Sequence, residues 1–395
     1  MPKRQRGLVR TGSAILVIGL SLVLLVGRLH HHFTPTLSDW KRTTSARSAV
    51  ARQGWSQHPY VFRDEALAKP SASADKTVRL GMEITNIYGL SLRDRTFQAE
   101  GWYWLKWPEL VQTVMKENEI AQDKIINLIN QVDSDSMLIE IEQPNPERLK
   151  DESYWQKFHF SGTFYIEDLQ LRAFPFDDLV LPIAMELGPD LLSCYPENEL
   201  GCFSLIFDKD SNAQALGQYT SINGYSIIGS ESREFLHQYS TNFGRSSKIA
   251  TSAVQTNVVY RANFTTAFWI YIFPLLVLIG VSIASPSLPG SLGDVRLAIP
   301  TTILLTLIFL QMGYKAELPA LEYVSYLDWI YIYAYAISAL LFLLFCWGTN
   351  AHANACGEEQ EAEVLRGINR VDLLVQWLAF GGLVLVMASG LLFEP

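Results

Sequence analysis

GDVRLAIPTTILLTLIFLQMGYKAELPALEYVSYLD, residues 293–328, is the stretch on which the reading of the whole chain turns. Between Arg296 and Lys315 it carries no charge, a run long enough to cross the hydrocarbon of a bilayer as a helix. Ala298, Thr302, Leu305, Phe309 and Met312 recur at alternating steps of four and three, so they share one helix face. Ile299, Ile303, Leu304, Leu307 and Ile308 cover the rest. Two readings stay open on this segment alone. It is either an ordinary membrane helix whose threonines bond back to its own turn, or a helix that turns its Ala/Thr/Leu/Phe/Met stripe to a shared axis.

Outward from that helix, a 395-residue chain that is 49% hydrophobic combines membrane and soluble parts. A net charge of -9 argues against nucleic acid as a partner. Four cysteines are too few for a disulfide-framed domain or a zinc ribbon. Lys3, Arg4, Arg6 and Arg10 precede the apolar segment GSAILVIGLSLVLLVG, so residues 1–32 are expected to be a signal-anchor or signal peptide that leaves the N-terminus in the cytoplasm if uncleaved. The run His30 to His32 offers poor metal-binding geometry without other ligands, and no metal or cofactor is expected. Residues 33–75 are polar and read as a linker or extension.

Strand patterning dominates residues 76–262. VRLGMEITNIYGLSL alternates, Arg93 to Arg95 form a charged turn, and TFQAEGWYWLKW alternates again as the second arm of a hairpin. VQTVMKENEIAQDKIINLINQ has helical spacing, and MLIEIEQ suits a short strand. KFHFSGTFYIEDLQL, LVLPIAMEL, YSIIGS, REFLHQYSTNF and SAVQTNVVYRANF follow at strand length with turn residues between them, which predicts an antiparallel β-sandwich. The apolar loop RAFPFDDLVL is costly to expose, and Asp177 within it needs a cation if buried; Arg261 is expected to supply it.

Residues 263–395 enter the membrane four times. AFWIYIFPLLVLIGVSIAS carries Pro274; the central helix follows the turn PSLPGSLGD; YLDWIYIYAYAISALLFLLFCW and VDLLVQWLAFGGLVLVMASGLLF complete the set. The link GTNAHANACGEEQEAEVLRGINR between the last two reads as short and polar. With the N-terminus inside, the sandwich lies outside, and the chain is expected in a bacterial inner (plasma) membrane with the sandwich periplasmic or extracellular.

A sandwich followed by four membrane helices resembles the pentameric ligand-gated ion channel family, the Cys-loop receptors and their bacterial relatives. The resemblance runs from about Val78 to Leu392 and rests on motifs in order. LGMEITNIY and GWYWLKWPE are similar to the family's first hairpin, with Trp107 at its core tryptophan and Glu109 in place of the following aspartate. QLRAFPFD looks like the loop that docks on the membrane domain, Arg261 like the arginine before the first membrane helix, and Pro274 like that helix's proline. Leu318, Pro319, Tyr323 and Asp328 match the loop joining the second and third helices. Glu167 and Leu181 replace the two cysteines that bracket the docking loop in animal receptors, so the chain looks like a prokaryotic member.

The resemblance implies a homo-oligomer, a pentamer embedded in membrane lipid, passing monovalent ions. Rings of Ala298, Thr302, Leu305, Phe309 and Met312 would line the pore, with Leu305 at the hydrophobic gate. Asp294 would form an acidic ring favouring cations, unless Arg296 neutralises it; Lys315 at the other mouth would be offset by Glu317. Pro300 is expected to kink or locally unwind the first turns. Phe174, Pro175, Phe176, Asp177, Arg261, Leu318, Pro319 and Tyr323 would couple a ligand signal to the pore. Trp102, Trp104, Tyr239 and Phe243 are the candidates for an aromatic ligand site between subunits, the ligand being a small molecule or a proton. Cys194 and Cys202, facing an oxidising compartment, would close a small disulfide contributing ~2–3 kcal/mol. A non-conducting receptor on the same scaffold is the alternative. Nothing in the sequence has the spacing of a catalytic nucleophile, phosphate loop or metal centre, and no catalytic residue is assigned.

Overall fold

The computed structural model describes residues 65–68, 72–132, 138–209 and 214–389. The expected anchor at 1–32, with His30 to His32, and most of the 33–75 extension lie outside the described residues. What is described falls into two compact units. One holds the strands; the other holds the helices from Ala262 onward together with Gln170–Asp177.

The strands are β1 (Glu65–Leu67), β2 (Thr77–Ser91), β3 (Thr96–Trp107), β4 (Ile126–Leu128), β5 (Leu138–Ile141), β6 (Glu147–Arg148), β7 (Tyr154–Tyr165), β8 (Asp178–Leu187), β9 (Ser204–Phe207), β10 (Gln214–Tyr219), β11 (Tyr225–Gln238) and β12 (Ala250–Ala262). One sheet has the order β1-β11-β12-β8-β4. The other runs β10-β2-β3-β7-β5, with β6 on β7 and β9 on β2. Strand β3 shows why the sequence folds this way: its residues alternate strictly between buried and half-buried, so Phe97, Tyr103, Leu105 and Trp107 face the core. Phe158, Phe160 and Phe164 of β7 complete that layer, Tyr103 stacking on Phe158 at 4.8 Å between centroids. The buried Trp107 indole donates to Gln112 Oε1 at 2.8 Å, so its polar atom stays satisfied.

Four expectations for this unit change. The pairing is not wholly antiparallel: β9 and β10 both run parallel to β2, because each reaches it by a long connection rather than a hairpin. YSIIGS and the first half of REFLHQYSTNF form one strand, β11, which lies between β1 and β12 in its sheet. The extension contributes β1, whose Glu65–Leu67 pair with Leu236–Gln238. The helical spacing after residue 109 is realised only as α1 (Glu109–Glu117). Asn118 caps it by donating to Val114 O at 2.8 Å, and Glu119 takes φ 54°, which no helix continues.

One close approach gives a test of this packing. A Cβ on Gly101 of β3 would lie 2.2 Å from the Glu83 carbonyl oxygen, beside the irregularity in β2 between Ile84 and Asn86. Backbone cannot yield as a side-chain tip can. Gly101→Ala is expected to destabilise the strand unit by about 1–3 kcal/mol, read as a lowered melting temperature, whereas an unchanged melting temperature would mean the β2–β3 register is not as described.

Among the described residues, four helices are long and apolar enough to cross a membrane, which is the architecture of a multi-pass membrane protein. They are α2 (Phe264–Ser287), α3 (Gly293–Ala316), α4 (Tyr326–Ala353) and α5 (Glu358–Ser389). In α2, Phe268–Ile272 widen to a π turn just before Pro274, whose missing N–H cannot close the α ladder there. Pro300 does not unwind α3, which is helical throughout. Thr301 and Thr302 bond back to the same turn, donating to Ala298 O at 2.9 and 2.8 Å. The expected polar link 348–370 is mostly helix: only Asn354–Gly357 separate α4 from α5, whose first turn carries Glu358, Glu359 and Glu361 where the helix dipole favours them.

Candidate functional site

The segment Gln170–Asp177 packs with the helices. Its attachment follows from an elementary shortage: the first N–H groups of a helix have no partner within it. At the start of α4, Tyr326 N donates to Arg172 O at 2.9 Å and Leu327 N to Phe174 O at 3.2 Å, so the segment supplies the missing acceptors. Leu171 N donates to Tyr323 Oη at 2.8 Å, and the Arg172 guanidinium lies 4.9 Å over the Tyr323 ring. Phe174 meets Tyr271 of α2 at 5.1 Å and Tyr314 of α3 at 6.3 Å. Phe176 stacks on Phe264 at 5.1 Å and meets Tyr326 at 6.4 Å. The Phe174–Pro175 peptide is cis, and Asp177 Oδ1 accepts from Ala173 N at 2.9 Å.

Arg261 was expected to pair with Asp177. Its guanidinium instead forms a two-armed pair with Asp178, at 2.7 Å for Nε–Oδ1 and for Nη2–Oδ2. Strand register is the reason, since Arg261 of β12 sits directly across from Asp178 of β8.

Asp328 organises the end of α3 and the start of α4. It forms a capping box with Ser325: Asp328 N donates to Ser325 Oγ at 3.2 Å, and Ser325 N donates to Asp328 Oδ2 at 3.2 Å. The same carboxylate accepts from the Tyr314 hydroxyl and lies 3.0 Å from Lys315 Nζ. Lys315 is therefore paired with Asp328 and not, as expected, with Glu317, which accepts from Tyr271 Oη at 2.7 Å. Leu318 is buried and Pro319 partly so.

The two faces of α3 differ sharply. Arg296, Pro300, Ile303, Leu307 and Tyr314 are buried among the other helices. Ala298, Thr302, Leu305, Phe309 and Met312 are exposed, Leu305 by 55%, Phe309 by 64% and Met312 by 65%. Asp294, one turn before Ala298, is exposed on the same side. Arg296 does not neutralise it: its Nη2 lies 2.7 Å from Asp372 Oδ1 of α5. This pair is hard to see in the sequence, because Asp372 opens an apolar run that reads as a plain span. The signal was present, a lone carboxylate at the edge of one span and a lone arginine at the edge of another.

Among the ligand-site candidates, Tyr239 and Phe243 come together, 5.1 Å apart and edge to face, at the end of β11. Trp102 and Trp104 stand on β3, in the other sheet. Trp104 lies so close over Gly81 that a Cβ there would fall 2.1 Å from its indole. Trp102 holds an internal cation, Lys157 Nζ lying 4.1 Å from its ring, with His159 beside it at 4.7 Å. Two residues not singled out in the sequence join Tyr239: the buried Glu186 accepts from the Tyr239 hydroxyl and lies 2.7 Å from His237 Nδ1.

Cys194 and Cys202 are disulfide-bonded. The loop they close touches the hairpin between β11 and β12 through Glu197, which accepts from the Ser246 hydroxyl and from Ser247 Oγ at 2.7 Å, and through Tyr195, under the Arg245 guanidinium at 5.0 Å. Those serine hydrogen bonds, Ser246 first, hold the Glu197 carboxyl below the ordinary glutamate range. A lowered folded-state value means the contact is complete at neutral pH and is lost as pH falls below that range. Glu197→Gln is expected to raise limited proteolysis within residues 240–249 at neutral pH towards the level of the native chain in acid; equal resistance of the two proteins at both pH values would discount the contact.

Among the described residues, no group of three His, Cys, Asp or Glu side chains converges as a metal site would require. No protein-family model matches the chain, and the search of curated proteins likewise finds no match.

Proposed function

We propose that the chain is one subunit of a pentameric ligand-gated ion channel, cation-selective, with α3 lining the pore and Gln170–Asp177 acting as the coupling element. The observation that carries this reading is the seating of Phe174 against Tyr314 of α3, the helix whose opposite, charge-free stripe is exposed among the described residues. Leu305, Phe309 and Met312 are free to meet lipid or a shared axis, as are exposed residues of the other spanning helices, and five copies about an axis would turn the Ala298–Met312 stripe, with Asp294 at its end, to a common pore. Movement of β7 and β8 is carried along the chain into the segment between them, which is hydrogen-bonded to the start of α4 and packed on the end of α3. Tyr239, Phe243, Glu186 and His237 on one subunit and Trp102 on its neighbour form the ligand site, and Asp294 provides the selective ring.

The test is planar-bilayer recording from detergent-extracted protein in a potassium chloride gradient over a range of pH, with particles counted by electron microscopy. Cation-selective unitary currents from five-fold particles are the expected result. Five-fold particles without current would favour a non-conducting receptor on this scaffold.

A further inference from the structure

Arg296 and Asp372 form an ion pair inside the helical unit, their side chains 3% and 1% exposed. The guanidinium also lies 4.2 Å over the Phe345 ring of α4. Its Nε–H has no hydrogen-bond partner among the described residues. Burying such a pair is costly in desolvation, and well-packed apolar residues in its place are often at least as stable, so fold stability alone is a poor reason for its presence. Position suggests a better one. Arg296, Pro300, Ile303 and Leu307 follow one another at steps of four, three and four along the buried face of α3. Asp294 and Ala298, four apart, begin the exposed face. Two opposite charges thus sit two residues apart at one end of α3, and only the negative one faces outward.

We infer that Asp372, with Phe345, is a positioning residue for charge selectivity: it holds the Arg296 cation off the stripe so that Asp294 alone sets the charge at that mouth. This rests on the channel reading above. An arginine near a helix end is long enough to reach the water interface once its counter-ion is removed. Five guanidinium groups released beside five Asp294 carboxylates would cancel the acidic ring.

The experiment is the reversal potential in a potassium chloride gradient for the wild type, for Asp372→Asn and for the paired replacement Arg296→Met with Asp372→Leu. In Asp372→Asn the potassium-to-chloride permeability ratio is expected to fall by about tenfold or more, while the paired replacement, which removes both buried charges, keeps the wild-type ratio. A wild-type ratio in a conducting Asp372→Asn channel overturns the inference and leaves the channel reading standing. If Asp372→Asn does not assemble, the paired replacement decides: an unchanged ratio supports the inference, and an altered one overturns it, because Arg296 would then already act on the pore. A silent wild type overturns the channel reading, and this inference falls with it.

Discussion

Asp328→Ala is expected to cause a large loss of stability in the helical unit, and to unseat Gln170–Asp177 with it. The carboxylate serves three partners: the Ser325 cap, the Tyr314 hydroxyl and the Lys315 ammonium. Removing the capping box costs about 1 kcal/mol. Tyr314 is buried, and leaving its hydroxyl without an acceptor costs about 1–3 kcal/mol more. Lys315 is half exposed, so its share is small. A total of about 2–4 kcal/mol should appear as a fall of several degrees in the melting temperature of the extracted protein. The functional consequence follows from adjacency. Tyr326 and Leu327, whose N–H groups hold the carbonyls of Arg172 and Phe174, lie between Ser325 and Asp328, so fraying the first turn of α4 releases Gln170–Asp177. Asp328→Asn keeps an oxygen acceptor for Ser325 and should lose much less. If alanine and asparagine behave alike, the cap is not what holds this end together.

Legibility in the sequence divided along the range of the forces involved. Period-two burial in β3 and apolar length in the four helices are local, so the two-part architecture could be read residue by residue. Pro300 is a local break signal that the helix overrides, because a single missing N–H within a long apolar helix costs less than the rest of that helix holds. Charge partners were the part not legible. Arg261 with Asp178, Arg296 with Asp372 and Lys315 with Asp328 each join residues far apart or choose between adjacent carboxylates, and that choice is made by register and helix rotation. Glu186 escaped notice for the same reason: it ends an apolar strand and acquires meaning only when β11 and its continuation bring His237 and Tyr239 to it. The stripe from Ala298 to Met312 was legible because helical spacing alone defines it.

If the chain is the channel subunit proposed above, Leu305→Ser is expected to have the largest effect on gating, and its contrast with Leu307→Ser tests the register of α3. In a closed channel a ring of five leucines excludes water by being apolar and narrow; five hydroxyls hydrate it, and the barrier to ions falls. An increase in resting open probability of about tenfold corresponds to a change of only about 1.4 kcal/mol in the closed-to-open equilibrium, modest for five altered side chains. The replacement should hardly affect folding, because Leu305 is 55% exposed within the subunit. Leu307 is fully buried on the other face, and a serine there removes its apolar contacts and buries a hydroxyl. Leu307→Ser should therefore reduce assembly by a cost of about 2–5 kcal/mol while any surviving channels gate normally. Bilayer recording and gel filtration separate the two effects. Gating left unchanged by Leu305→Ser in a conducting channel would mean that this stripe does not face the pore. The same loss of assembly from both replacements would make Leu305 a packing residue between subunits, with the gate elsewhere along the helix.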